Sequence, residues 1–65
     1  MKITPAQVRA ARALLNWNQS DLANYSGITA TTINNIENSQ HRMNSQTQEK
    51  IISTLSKFGI VLLGS

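Results

Sequence analysis

The segment from Gln19 to Asn38 constrains this chain most, because it sets two short apolar-periodic stretches on either side of a single glycine. Leu22 and Ala23 point inward before Gly27, and Ile33 and Ile36 do so after it. Gly27 stands where a backbone leaving a helix needs positive φ. Two helices joined by so short a turn must pack across it. The second stretch opens with small polar side chains, Thr29 to Thr32, instead of core residues. Short groups presented in this way suit a helix placed end-on in a DNA major groove.

The flanking sequence supplies further helices. Thr4-Pro5-Ala6-Gln7 reads as a helix start, with Thr4 as cap, Pro5 at the first helical position and Gln7 completing a capping box. The helix is expected over about 5–15, with Val8, Ala11, Leu14 and Leu15 on its inner face and Asn16-Trp17 ending it. Asn18 caps the next helix, with Asp21 favouring its positive dipole end. Ala23 is small where a neighbour must approach, and Ile28 is expected to be buried beside the turn. Thr29 caps a third helix over about 30–37.

Asn38 to Asn44 reads as a polar connection. Ser45 with Gln48 forms a second capping box, opening a helix over about 46–57 with Ile51, Ile52, Leu55 and Phe58 as its core face. Lys57 complements its negative end and Gly59 closes it. The apolar run Ile60-Val61-Leu62-Leu63 has two readings: it folds back onto the core, or it forms an edge strand pairing with its twin in a homodimer.

Length and composition narrow the rest. A chain of 65 residues makes one domain, here residues 1–65, and buries only about 60% of its unfolded surface. There is no cysteine for a disulfide, and one histidine with three carboxylates cannot assemble a metal cage, so no metal and no cofactor are expected. No run approaches membrane-spanning length and the N-terminus carries no signal-peptide pattern, which points to a cytoplasmic protein. A net charge of +3 favours polyanionic partners. No nucleophile–histidine–acid set, phosphate-cradling glycine loop or room for a substrate pocket is legible, so the chain reads as a non-enzyme without a small-molecule substrate.

Trp17-Asn18-Gln19, Leu22-Ala23, Gly27-Ile28-Thr29, Ile33 and Ile36-Glu37-Asn38 together resemble the phage-repressor and Cro-like helix-turn-helix family, often called XRE-type. The resemblance runs from about Ala6 to Ile60 and implies an all-α, lambda-repressor-like bundle of four to five short helices, with the helix-turn-helix unit at about 19–38 and a possible short C-terminal strand. It implies that Gln19 contacts a DNA phosphate and braces the base-reading side chains. Ala30, Thr31 and Asn35 match base-facing positions, with Thr29 and Thr32 beside them, and Asn38 matches a backbone-contacting one. Arg12 and Glu37 match a pair that joins the first helix to the end of the third by a salt bridge. Two departures stand out: Ser39 replaces a frequent glycine, and Ile60 to Ser65 is too short for a fifth helix, so the usual dimerisation route need not apply.

Residues 18–38 carry no lysine or arginine, so no arginine can grip guanine from the third helix. Asn35 suits adenine and threonine methyls suit thymine, which predicts an A·T-leaning half-site. Phosphate attraction is assigned to Asn18, Gln19, Asn38, Arg9, His41 and Arg42, with Lys50 and the helix starts at Asn18-Gln19 and Ser45-Gln46 as further candidates. Trp17 is expected to pack in the core, not to stack on bases. The expected function is sequence-specific binding of double-stranded DNA by a transcriptional regulator, a repressor, acting as a homodimer through Ile60 to Leu63. The alternatives are the antitoxin of a toxin–antitoxin pair and a protein-interaction module that kept the fold without DNA binding.

Overall fold

Local capping chemistry sets the helix boundaries. The computed structural model describes residues 3–38 and 43–62. Helix α1 spans Pro5–Leu15, α2 Gln19–Ser26, α3 Ala30–Asn38 and α4 Ser45–Lys57. The Thr4 hydroxyl accepts the Gln7 N–H at 3.1 Å while Gln7 Oε1 accepts the Thr4 N–H at 2.8 Å. Asn18 and Asp21 make the same reciprocal exchange at the start of α2, at 2.8 and 2.9 Å. Each closes two N–H groups that a helix start otherwise leaves open.

Three helices end through a left-handed residue. Asn16 adopts φ 58°, and bonds from Asn16 N–H to Ala13 O and from Trp17 N–H to Arg12 O close α1. Gly27, at φ 75°, closes α2 through a single bond to Ala23 O. Gly59, at φ 85°, ends α4 as Asn16 ends α1, with Ile60 N–H bonded to Leu55 O at 2.9 Å. That closure turns the chain back over the helix it has just left.

The fourth helix starts one residue earlier than its sequence implies. Asn44, not Ser45, is the cap, accepting the Thr47 N–H at 2.8 Å. Two capping residues stand in tandem there, and the earlier one sets the register. Gln48 is thereby released from the expected capping box. Its amide instead donates to Met43 O at 3.1 Å and accepts the Ile3 N–H at 3.0 Å, tying the N-terminal segment to the entry of α4.

The core comprises Ile3, Val8, Ala11, Leu22, Ile33, Met43, Ile51, Leu55 and Leu62, with Leu15, Trp17, Ala23, Ile28, Ile36, Ile52 and Ile60 packed against it. Two expected core residues lie outside it. Leu14 is 77% exposed, because the buried face of α1 centres on Val8 and Leu15, and Leu14 stands about 100° round from Leu15. Phe58 is 43% exposed. It follows the last helical residue and leaves the register that would carry it inward, and buried Thr54 occupies that face instead, its hydroxyl donating to Tyr25 O at 3.5 Å.

Phe58 joins the other two aromatics of the chain in a surface cluster. Trp17 and Tyr25 stack with ring centroids 4.7 Å apart, and Phe58 meets both edge-on at 4.8 and 4.9 Å. Of the C-terminal run, Ile60 and Leu62 turn inward while Val61 is 75% exposed. Folding back is therefore the reading realised by residues 60–62, and no strand is present among the described residues. Ile60 and Leu62 cover their own core, which leaves Val61 as the outward residue of the three; Leu63 lies outside the described residues.

Candidate nucleic-acid interface

Helix α3 divides cleanly by periodicity. Ile33, Ile36 and Glu37 turn inward, whereas Ala30, Thr31, Asn34, Asn35 and Asn38 are exposed. At about 100° per residue those five cover an arc of about 140°. The stripe contains no charge and no side chain longer than asparagine, so its reach is short and its contacts demand close approach.

Beneath it lies the ion pair of the described residues, Arg12 with Glu37. Glu37 is 3% exposed. Its carboxylate receives Arg12 Nε at 2.7 Å and Arg12 Nη2 at 2.6 Å, a two-pronged pair that fits the guanidinium fork. Arg12 Nη1 also donates to Trp17 O at 3.0 Å. The hydrogen bond to Glu37, partly offset by desolvation, holds the guanidinium above its ordinary range. Arg9, one turn earlier on α1, donates Nη1 to the Glu37 carbonyl at 2.6 Å, where the negative end of the α3 dipole lies. Two arginines of α1 thus clasp one residue of α3, by its backbone and by its side chain.

Gln19 links this anchor to the surface. Its amide nitrogen lies 3.3 Å from Glu37 Oε1 and 3.4 Å from Asn34 Oδ1. Asn38 Nδ2 donates to the same Asn34 oxygen at 2.8 Å. At the other end of α3, Thr29 Oγ1 accepts the Thr32 N–H at 3.2 Å and donates to Thr32 Oγ1 at 2.9 Å.

The structure brings Ala30, Thr31, Asn35 and Asn38 together on one face, with Gln19 beside it. Thr29 and Thr32 spend their hydroxyls on each other at the helix start. Thr31 and Asn35 side chains make no hydrogen bond among the described residues. Asn18 is exposed beside Gln19, its side chain engaged as the α2 cap. Arg9, expected to face phosphate, is exposed but commits one guanidinium nitrogen to α3. Lys50 lines a groove with Tyr25 and Ser26, at the end of α2 away from Gln19. His41 and Arg42 lie outside the described residues. Trp17 is half-buried in the aromatic cluster, not presented as an open platform.

The sequence assigns Asn34 no contact, and with Asn35 it reads equally as a soluble helix face. The available signal was its spacing of four residues from Asn38, which sets two amides side by side on a helix.

No described helix is long and apolar enough to cross a membrane, and no group of potential metal ligands gathers among the described residues. A family model described as helix-turn-helix matches residues 8–57, from α1 to the end of α4. No curated protein and no solved structure matches the chain.

Proposed function

Since the chain belongs to the XRE/Cro-like helix-turn-helix family, we propose that it is a sequence-specific regulator of transcription, a repressor, that reads double-stranded DNA with α3 in the major groove. One observation carries this reading: an uncharged stripe of small polar groups stands over a buried ion pair that fixes the helix beneath it. A stripe of this kind has little to offer an apolar partner but matches the donor and acceptor pattern of base edges.

Within that reading, Thr31 and Asn35 contact bases, together with Ala30 through its methyl group, and Thr29 and Thr32 approach at the rim. Asn18 and Asn38 contact phosphates through their side chains and Gln19 through its backbone N–H at the start of α2, with Arg9, His41 and Arg42 supplying charge. Asn35 and the threonine methyls favour A·T pairs. So few cations release few counterions and give one copy modest affinity. Two copies on a near-palindrome, with half-sites about one helical turn apart, offset that weakness. Among the described residues of the C-terminal run, the exposed Val61 is the one available to such a contact.

Chemical-shift mapping with a duplex tests the orientation. Shifts concentrated on Gln19, Thr31, Asn35 and Asn38 agree with it. Shifts concentrated on Tyr25 and Phe58, without effect on α3, would contradict the orientation, and no shifts on adding duplex would instead favour a protein-interaction module that retains the fold without DNA binding.

A further inference from the structure

Two amide side chains beside the exposed face of α3, those of Gln19 and Asn34, have a fixed polarity, and its source is buried. An amide can present either its oxygen or its NH2 to a neighbour, and isolated asparagines choose freely. Gln19 cannot. Its neighbour Glu37 is a carboxylate paired with Arg12, which accepts hydrogen bonds and donates none. Gln19 must therefore turn its NH2 toward Glu37, and the second hydrogen of that NH2 reaches Asn34 at 3.4 Å. Asn34 must answer with its oxygen, which also takes the Asn38 NH2 at 2.8 Å.

Both acceptor positions of the Asn34 oxygen are then filled, and its NH2, without a partner among the described residues, is the end left for solvent. We propose that Glu37, acting through Gln19, makes Asn34 a donor-only, specificity-determining residue that reads a hydrogen-bond acceptor on a base edge. In the major groove such acceptors are purine N7, guanine O6 and thymine O4, whereas the amino groups of adenine and cytosine are donors and are rejected. Asn35, with no partner among the described residues, keeps both orientations and can pair bidentately with adenine. Two adjacent asparagines thus have different reading rules. Gln19 is a positioning residue in this scheme, and its effect on specificity passes through Asn34.

This inference rests on the DNA-binding reading, and the test separates the two. Sites are selected from a randomised duplex library with the unmodified protein, Asn34→Ala, Gln19→Ala and the double variant, and each fold is checked by thermal melting. Both single variants are expected to melt cooperatively and to lose preference at the same base pair, by about tenfold in affinity for the favoured base. The double variant is expected to lose no more than the worse single one. Asn34→Asp, which keeps the accepting oxygens and removes the donors, should lose preference at that same position. A uniform loss across all sequences, or losses at unrelated positions, would overturn the relay while leaving DNA binding intact. Failure of the unmodified protein to enrich any site would overturn the reading beneath it as well.

Discussion

Arg12 and Glu37, 25 residues apart in sequence, meet through two hydrogen bonds of 2.7 and 2.6 Å with the carboxylate shut away from solvent. The pair fixes the end of α3 to α1, and so sets the angle at which the exposed stripe faces outward. Removing one partner strands the other charge in the interior, at a cost of about 3–5 kcal/mol. A domain of this size has a total stability on the order of 3–10 kcal/mol. Glu37→Ala is therefore expected to unfold the protein or leave it barely folded at 25 °C, as urea denaturation followed by circular dichroism would report. The raised Arg12 value means that its side of the pair stays charged until strongly alkaline pH. Its contribution is present throughout the neutral range and is lost only as pH rises through that raised value.

The register of α4 has its own test. Because Asn44 holds the capping bond, Asn44→Ala should cost about 1 kcal/mol, whereas Ser45→Ala should stay within about 0.5 kcal/mol of the parent. The opposite ranking in denaturant midpoints would restore the later helix start.

Two left-handed positions respond in opposite senses. Gly27 has nothing within 4 Å of an added Cβ, so Gly27→Ala meets backbone strain alone and should destabilise by about 1–2 kcal/mol. Asn16, at φ 58°, already bears part of that strain. Asn16→Gly should be neutral or stabilising by up to about 1 kcal/mol, read as a shift in melting temperature.

The aromatic cluster predicts a spectroscopic signature. Trp17 is the only tryptophan and stacks on Tyr25 with an interplanar angle of 13°. Tyr25→Ala should remove most of the near-ultraviolet dichroism and cost about 0.5–1.5 kcal/mol beyond the area it uncovers. Helix content should be unchanged, because Tyr25 is more than half exposed and helix boundaries rest on caps elsewhere.

On the exposed face of α3, Thr31→Ala and Asn35→Ala should each leave the melting temperature nearly unchanged, since both side chains are exposed and make no hydrogen bond among the described residues. Each should weaken discrimination at one or two base pairs by about 1–3 kcal/mol. Competition between selected and scrambled duplexes measures this directly.

Much of the architecture was legible because it is written in local chemistry. Thr4-Pro5 with Gln7, Asn18 with Asp21, and Gly27 and Gly59 each announce a helix end through a bond made within four residues. What stayed hidden depended on neighbours distant in sequence. Met43 looked like part of a polar connection, and only its packing in the core reveals its burial. Gln48 looked like a capping residue until Asn44 took that role and freed it to hold Ile3. Extending a helical period puts Leu14 and Phe58 inside, which fails where the buried face of α1 centres on Val8 and Leu15 and where α4 stops. At the interface, the outward residues of α3 followed from periodicity and family resemblance. The orientation of Asn34 depends on Gln19 and Glu37 together, and no spacing rule carries that.

The most direct measurement is selection of binding sites from a randomised duplex library, with affinities for enriched sites taken at two salt concentrations. A sequence-specific regulator reading the groove with α3 should enrich a near-palindrome with A·T-leaning half-sites about one turn apart, and its affinity should fall only modestly with salt. Weak, steeply salt-dependent binding with no enriched sequence would mean backbone attraction alone and would contradict it.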